Sequence, residues 1–390
     1  MDLSVYFQPV SNRIAGDAFE PNMLGSTIAI YREGREFPEL EGVAVALIGV
    51  NESRGHEANN GCEHAPDAIR RYFYRLYRFD REVKVVDLGN IQAGASLNDT
   101  FYAVSDGCQQ LIKQGIVPVV IGGSQDLTYA MYQGYEKLED TINVATIDPR
   151  LDLSTDAEAP SSATNYLNRL ILHQPNYLFN YSNLAGQRYL TDPDMLEMMD
   201  RMYFDTTRLG QLAENIQTGE PALRNADLVS IDISAVRQTD APGTAGRGPN
   251  GLRAEHLCQL AWYAGMGDKL TSLGLFEVNP ELDENGQTVH LAAQTVWCFL
   301  DGFSQRKEDY PKSSLETCTK YTVHLESSGH DLLFYKSEKT DRWWMDVPYP
   351  AGITNRYQRH HIVPCTYEEY LQAARDEVPD RYWRTFQKLV

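Results

Sequence analysis

The sequence predicts a three-layer α/β domain with a mostly parallel central sheet, followed by a smaller C-terminal α+β appendage. Two observations support this fold class: short apolar runs without clean alternation recur between residues 40 and 305, and helix-like segments separate them. Strands that are covered by helices on both faces are expected to show such continuous apolar runs. Because strand–helix alternation favours right-handed crossovers, we expect the strands to lie parallel in one sheet.

The individual elements follow from the same pattern. The predicted strands are residues 43–49, 83–88, 117–121, 143–147, 228–233 and 273–278, with a further candidate at 177–181. The predicted helices are residues 65–77, 99–114, 128–138 and 253–270, and residues 192–212 are predicted to be partly helical. Pro66 fits the first turn of its helix, where the missing N–H costs nothing.

The composition changes after about residue 303 and divides the chain. We predict an N-terminal extension at 1–40, the α/β domain at 41–303, and an appendage at 304–390 that packs on that domain. No internal repeat is evident.

The appendage itself is predicted to mix strands and helix. Residues 321–326 and 332–335 are strand-like, an aromatic turn region follows them, and a final helix begins at about Tyr367. Exposed aromatic side chains in the turn region would offer a surface for a protein partner; the alternative is that they pack the appendage onto the domain. These side chains are Trp343, Trp344, Tyr349 and Tyr357.

Net charge and cysteine usage restrict the function and the location. Asp and Glu outnumber Lys and Arg by 54 to 35 in a chain of 390 residues, giving a formal net charge of −19. Such a surface repels phosphate backbones and anionic lipids, which argues against a nucleic-acid partner or a membrane-surface role. Neither a signal peptide nor a membrane-spanning run is expected. The six scattered cysteines are expected to be reduced thiols, so the predicted location is the cytoplasm.

The chemical signal lies in three segments that directly follow predicted strands. They are residues 121–126 (IGGSQD), 147–152 (IDPRLD) and 230–234 (SIDIS). Because the carboxyl ends of parallel strands meet at one edge of a sheet, Asp148, Asp152 and Asp232 are expected to share a small volume. Three carboxylates at such short range require a cation, an arginine or raised pKa values.

These segments resemble motifs of the ureohydrolase family, which comprises arginases, agmatinases and formimidoylglutamases. GGSQ at 122–125 resembles Gly-Gly-Asp-His, DPRLD at 148–152 resembles Asp-Ala-His-x-Asp, and SIDIS at 230–234 resembles Ser-Phe-Asp-x-Asp. Further similar elements are 61–70 (GCEHAPDAIR), 251–255 (GLRAE) and 276–280 (FEVNP). The resemblance implies an arginase-like fold over about residues 40–305. It also implies two Mn²⁺ ions, held by two histidines and four aspartates, with a bridging hydroxide.

This chain departs from those motifs at the positions that the resemblance assigns to metal ligands. Both histidine positions have changed, to Gln125 and Arg150, one aspartate position is Ser234, and Arg237 replaces an acidic residue. One ion position would keep the oxygen ligands Gln125, Asp148, Asp152 and Asp232, which suit a hard cation. The other position has lost its ligands, because a guanidinium has only donors. The segment after Asp152 also lacks the histidine that the resemblance implies for proton transfer.

The first functional hypothesis is an arginase-like pseudoenzyme, a non-catalytic scaffold that binds a protein partner through the appendage. In this hypothesis no cofactor is expected, and Arg150 replaces the second cation through a two-pronged bond to Asp148 or Asp232. Enzymatic activity is then not expected. A homo-oligomer is compatible with the resemblance.

Two alternatives remain open. One is a metal-dependent ureohydrolase that uses one divalent cation (Mn²⁺, Mg²⁺ or Ca²⁺) to hydrolyse a C–N bond in a formimino or guanidino substrate. Glu277 then resembles the carboxylate that receives the cationic end of the substrate, although it equally fits a structural role at a strand end. The other alternative is a sensor in which Arg150, Arg237 or Arg247 binds an anionic metabolite.

Histidines outside the motifs are expected to be ordinary hydrogen-bonded or exposed residues. His56 and His64 flank a polar loop that can approach the crevice, and replacement ligation by them is the less favoured interpretation. The glycine-rich segment 241–249 does not have the sequence of a phosphate-binding loop. It corresponds to an active-site loop of the family, in which Arg247 adds positive charge.

Overall fold

The computed structural model describes residues 3–16, 18–138, 141–154, 156, 159–311, 318–327, 329–349 and 355–389. Ten strands form the central sheet: β1 (Phe7–Gln8), β2 (Ala29–Ile30), β3 (Val45–Asn51), β4 (Val85–Gln92), β5 (Val117–Ile121), β6 (Ile142–Ile147), β7 (Leu178–Gly186), β8 (Asp205–Arg208), β9 (Leu228–Asp232) and β10 (Ser272–Phe276). Their order is β1-β4-β3-β5-β10-β9-β6-β7-β8, with β2 also pairing with β4. Every pair is parallel except β1 with β4.

The helices before the appendage lie in layers on the two faces of this sheet. They are α1 (Asn12–Ala15), α2 (Leu24–Thr27), α3 (Ala65–Phe73), α4 (Leu97–Lys113), α5 (Leu127–Gln133), α6 (Tyr166–Leu172), α7 (Pro193–Arg201), α8 (Leu209–Glu214), α9 (Glu220–Asn225), α10 (Ala254–Gly265) and α11 (Gln287–Ser304). Side chains of β3 alternate between two cores: Leu47 packs with α3, α10 and α11, while Ile48 packs with α4, α5 and α6. Burial on both faces explains why the strands read as continuous apolar runs. The predicted three-layer α/β fold is confirmed.

The predicted strands are all present, with bounds shifted by up to five residues. The prediction was incomplete at 192–212, because β8 separates α7 from α8 there. Thr206 and Thr207 are β-branched and extend the edge of the sheet beside β7. Residues 7–8 and 29–30, within the predicted N-terminal extension, also pair with β4.

The appendage contains a second sheet, which is antiparallel. Its strands are β11 (Cys318–Leu325), β12 (His330–Ser337), β13 (Trp343–Asp346) and β14 (Ile362–Cys365), and its helices are α12 (Tyr367–Ala373) and α13 (Asp380–Leu389). One face of this sheet packs against α12 and α13 through residues such as Phe334 and Val363. The other face packs on the α/β domain, where the Arg224 guanidinium lies 4.5 Å from the ring centre of Trp344.

Two predictions about the appendage were wrong. Trp343 and Trp344 belong to a strand rather than to a turn, and both are buried, at 8% and 0% exposure, so they pack the appendage instead of forming a free surface. The single final helix is two helices, and Pro379 stands at the start of the second one, where the missing N–H of a proline is tolerated. In the part of the chain that the structure describes, no helix is long and apolar enough to cross a membrane. The six cysteines are free thiols.

Candidate functional site

Four adjacent strands deliver the candidate site residues to one edge of the central sheet. The strands lie side by side in the order β5, β10, β9, β6. Gln125 follows β5, Glu277 follows β10, Asp232 ends β9, and Asp148 follows β6. Because the strands are parallel, their carboxyl ends meet at the same edge. Asp152 joins the group from the loop after β6: the charge of Asp148 acts on Asp152, and the charge of Asp152 acts on Asp232. We call this group, with Ser234, the acidic crevice.

Tight turns hold the carboxyl groups in place. Asp148 Oδ1 accepts a hydrogen bond from Arg150 N at 2.7 Å, and Asp232 Oδ1 accepts one from Ser234 N at 2.7 Å. The chain leaves β5 through Gly122 and Gly123, both with φ of +82°, a conformation that favours glycine. A Cβ on Gly123 would come within 2.8 Å of a backbone oxygen, so only glycine allows this turn.

Buried acceptor oxygens in the crevice lack donors. Gln125 donates from Nε2 to Ser230 Oγ at 3.0 Å, which fixes its amide, but Gln125 Oε1 accepts no hydrogen bond in the described residues. Asp148 Oδ2 and Ser234 Oγ are likewise buried without a donor. Asp152 lies beside Asp148, and the two carboxyls bond to each other only when one of them holds a proton. Unsatisfied buried acceptors of this kind call for a cation or a donor-rich ligand.

Burial and mutual repulsion raise the pKa values of the crevice carboxyls. Burial is the largest cause for Asp148, Asp152 and Asp232, and it raises the pKa of each carboxyl above its ordinary value. The charge of Asp232 raises the pKa of Asp148 further, and that of Glu277 raises the pKa of Asp232. Asp126, which sequence reasoning did not single out, is a neighbouring buried carboxyl whose pKa burial raises to about 6.

The prediction of a two-pronged bond from Arg150 is wrong. Within the described residues, the Arg150 guanidinium forms no ion pair or hydrogen bond with Asp148 or Asp232. Its side chain instead reaches the loop 241–249, where Nη1 lies 3.6 Å from the position of a Cβ built on Gly246. The Arg150 charge still lowers the pKa values of Asp148 and Asp152 from that distance, but less than burial raises them. It therefore balances the acidic crevice only in part.

Both carboxylate oxygens of Glu277 are engaged by nitrogen atoms of neighbouring residues. Its Oε1 accepts a hydrogen bond from Gln125 N at 2.7 Å, and its Oε2 accepts one from Asn59 Nδ2 at 2.7 Å and lies 2.6 Å from His56 Nδ1. The backbone at Glu277 has a φ of +66°, which is unusual for a residue with a side chain. These contacts give Glu277 a defined orientation at the crevice.

Two residues of this network, His56 and Asn59, come from the loop after β3. Asn59 Oδ1 accepts hydrogen bonds from Asn279 Nδ2 and from Ala245 N, both at 3.0 Å, so it links three segments. Sequence reasoning considered His56 but missed Asn59. The position of His56 and Asn59 after β3 could have indicated that they reach the crevice, because β3 lies next to β5 in the sheet.

The remaining candidates lie at the edge of the crevice or outside it. Arg247 donates from Nη1 to Thr244 O at 3.0 Å within the loop that packs on Ser234. Arg237 is bound to Asp240 at 3.0 Å, and His64 is exposed beside acidic side chains. Among the described residues, no three His, Cys, Asp or Glu side chains stand in a finished metal-binding arrangement.

Comparisons with known proteins identify the family of this chain. The model of the arginase family matches residues 43–301. The formimidoylglutamase of Corynebacterium efficiens is 25% identical over 73% of this chain and 91% of its own length, and that of Lysinibacillus sphaericus is 26% identical over 65% of this chain and 82% of its own length. Both relatives are thus covered over most of their length.

Solved structures show the same fold. The formiminoglutamase of Trypanosoma cruzi with Mn²⁺ covers 70% of this chain and 100% of its own, with a TM-score of 0.63 at 18% identity. The formimidoylglutamase of Bacillus subtilis covers 70% of this chain and 96% of its own, with a TM-score of 0.62 at 18% identity. The predicted family is confirmed by the match to residues 43–301: this chain belongs to the arginase family.

Proposed function

We propose that this chain hydrolyses a C–N bond in a formimino or guanidino substrate with the help of one divalent cation. One observation carries the proposal: Asp148, Asp152 and Asp232 are buried together with Gln125 Oε1, which accepts no hydrogen bond among the described residues. A cation is the ligand that satisfies such a group. Relatives named formimidoylglutamase support the class of reaction.

The residues fit one ion and not two. Gln125, Asp148, Asp152 and Asp232 supply carbonyl and carboxylate oxygens, the ligands that Mn²⁺, Mg²⁺ and Ca²⁺ accept. The second position of the family pattern holds Ser234 and a guanidinium, and a guanidinium cannot ligate a metal. A bound ion would act as a Lewis acid toward water and substrate.

The chain's own residues bind and orient the substrate in this proposal. Burial raises the pKa of both Asp148 and Asp152, so any proton that this pair holds must leave before an ion binds. Glu277 fixes the backbone after β5 through Gln125 N, which keeps the Gln125 amide in position. Arg150, whose guanidinium lies near Gly246, and Arg247, the next residue in that loop, are the cations that would receive an anionic end of the substrate.

A non-catalytic scaffold is the second candidate function. Two observations favour it: a positive charge lies near the second ion position, and Glu277 already has donors on both oxygens. A scaffold of this kind would not need turnover, and the appendage would supply the contact with a protein partner. Assembly of identical chains is compatible with either function.

Metal titration combined with a substrate screen tests the proposal. Protein stripped with a chelator is titrated with Mn²⁺ by calorimetry, and release of formamide, urea or ammonia is measured from N-formimino amino acids, agmatine and arginine. We expect about one ion per chain, and we expect Asp232→Asn to lose both ion binding and turnover. The Asn side chain keeps the acceptor for Ser234 N, so the turn is preserved.

The control is Asp331→Asn, an exposed carboxylate of the appendage. It should change neither ion binding nor turnover. One bound ion without turnover on any substrate would favour the scaffold, and two bound ions would contradict the assignment of a single position.

A further inference from the structure

His56 is the histidine that the fold brings to the acidic crevice. It follows β3, and its Nδ1 lies 2.6 Å from Oε2 of Glu277. About 21% of the His56 side chain is exposed, against 3% for Glu277. The imidazole therefore contacts a buried carboxylate and also reaches solvent, as a group that exchanges protons during turnover must.

The contacts of Glu277 fix which nitrogen of His56 is available. Glu277 accepts hydrogen bonds from Asn59 Nδ2 and Gln125 N, so its carboxylate does not rotate freely. A carboxylate oxygen requires a donor from His56, which assigns the hydrogen to Nδ1. In the described part of the chain no hydrogen bond is formed by Nε2. The carboxylate thus orients the ring through one nitrogen and leaves the other for a ligand.

The charges around His56 favour its protonated form. The hydrogen bond with Glu277 is the largest cause that raises the pKa of His56; burial opposes it, and the charges of Glu277, Asp152 and Asp126 raise the pKa further. These groups come from three loops, after β10, after β6 and before α5. His56 therefore keeps its proton to a higher pH than an ordinary histidine does.

The other histidines stand elsewhere. His64 is exposed, His173 directly follows α6 and lies against Tyr129 of α5, His290 stacks on Tyr72, and His324 pairs with Asp331. His360 stacks on Phe179 beneath the appendage, and His361 bonds to Asp346. Among the hydrogen bonds of the described residues, only those of His56 reach a residue that itself bonds Gln125.

We propose that His56 is the general acid of the acidic crevice, which protonates the leaving nitrogen through Nε2 when the C–N bond of the substrate breaks. This role rests on the proposed function. Oxygen of the attacking water bonds to the substrate carbon, and the C–N bond breaks with its electron pair on nitrogen. The nitrogen takes the proton from Nε2, and the proton released by the water returns to His56 through Asp152 or solvent. One water is consumed and nothing is oxidised or reduced.

Turnover of the full-length protein with Mn²⁺ and an N-formimino amino acid tests the role. We expect His56→Ala to lower kcat by about 100-fold, with KM and Mn²⁺ binding nearly unchanged. The alkaline limb of the pH profile should disappear, and added imidazole should restore part of the rate. His56→Gln keeps a donor for Glu277 but transfers no proton, so it should fold like the parent chain and remain slow.

The matched control is His64→Ala, an exposed histidine at the other end of the same 3₁₀ helix, Glu57–His64. It should leave the rate and the pH profile unchanged. An active parent chain whose His56→Gln variant keeps its rate and its alkaline limb would overturn the role of His56 while leaving the proposed function intact. A parent chain that binds Mn²⁺ but turns over no substrate would overturn both.

An NMR titration of histidine side chains adds a measurement that does not depend on turnover. The His56 signal should titrate above the ordinary histidine range, and Glu277→Gln should move it down. A His56 signal that titrates below that range would contradict the proposal.

Discussion

Two regions of this molecule hold buried charges that are arranged in opposite ways. In the acidic crevice, Asp148, Asp152 and Asp232 lie together, and the pKa of each carboxyl is raised by the charge of one of the other two. At the contact between the appendage and the domain, which we call the seam, Asp227 is bonded to Arg359 and lies 3.9 Å from Lys269 Nζ. Like charges are concentrated in the first region and opposite charges are paired in the second.

This difference indicates that the seam stabilises the fold, whereas the acidic crevice binds a ligand. A buried ion pair leaves little unsatisfied, so the seam needs no ligand to be stable. Buried like charges with unpaired acceptors cost stability, and such a cost is expected where a ligand binds. Removing a charge should therefore have opposite effects in the two regions.

The largest effect is expected when the seam is broken. Asp227→Ala leaves Arg359 and Lys269 without their carboxylate and also removes the acceptor for Asn143 N, at 2.8 Å. Loss of one partner from a buried pair costs about 3–5 kcal/mol. Urea unfolding should show a decrease of this size in the free energy of unfolding. For Asp331→Ala, which breaks an exposed pair with His324, the expected loss is under about 1 kcal/mol.

Removal of a charge from the acidic crevice is expected to increase the stability of the metal-free protein. Asp152→Asn removes one of the clustered charges, so the metal-free protein should gain about 0.5–2 kcal/mol in the free energy of unfolding. Chemical denaturation in the presence of a chelator measures this gain. The same variant should lose the stabilisation by Mn²⁺. If Asp152→Asn instead lost stability without metal, the charge of Asp152 would already be compensated. The contrast between the acidic crevice and the seam would then be wrong.

A pH dependence is expected from the seam. Burial is the largest cause that lowers the pKa of His360 far below its ordinary value, and the charges of Lys269, Arg359 and Lys388 add to it. The folded protein therefore keeps His360 neutral, while the unfolded chain takes up a proton below a pH of about 6.5. Stability is full above that pH and should fall below it by up to about 1.4 kcal/mol per pH unit.

The His360→Phe variant checks this contribution, because a phenyl ring keeps the stacking on Phe179 but does not titrate. Unfolding midpoints between pH 5 and 7 should depend less on pH in this variant (on the order of one proton less). His64→Ala, which changes an exposed histidine, should leave the slope unchanged. An unaltered slope for His360→Phe would show that other groups cause the acid sensitivity.

The smallest effect concerns Arg150. Its guanidinium acts on the crevice from a distance, so Arg150→Gln should strengthen Mn²⁺ binding by only about 0.5–1 kcal/mol, a few-fold in affinity. Calorimetric titration of both proteins measures the difference. Weaker Mn²⁺ binding by the variant would mean that Arg150 supports the ion site instead of opposing it.

Several structural features were accessible from the sequence, and others were not. The apolar runs 117–121 and 143–147 predicted β5 and β6 within one residue, because buried parallel strands need apolar side chains on both faces. Trp343 and Trp344 were misread as a turn, since their polar neighbours concealed a strand that is covered from both sides. Thr206 and Thr207 formed an edge strand where helix spacing suggested a helix.

For the site, the sequence alone determined which chemical groups follow β5, β6, β9 and β10, with Gln125 and Arg150 at the positions where the family resemblance implies histidines. Only the tertiary structure decided where flexible side chains point and which loops meet. Arg150 turned toward Gly246, and His56 met Glu277 across 221 positions of the chain. The physical reason is that short segments of the sequence determine each strand and the residues that follow it. Contacts between distant loops depend on how the whole sheet is assembled.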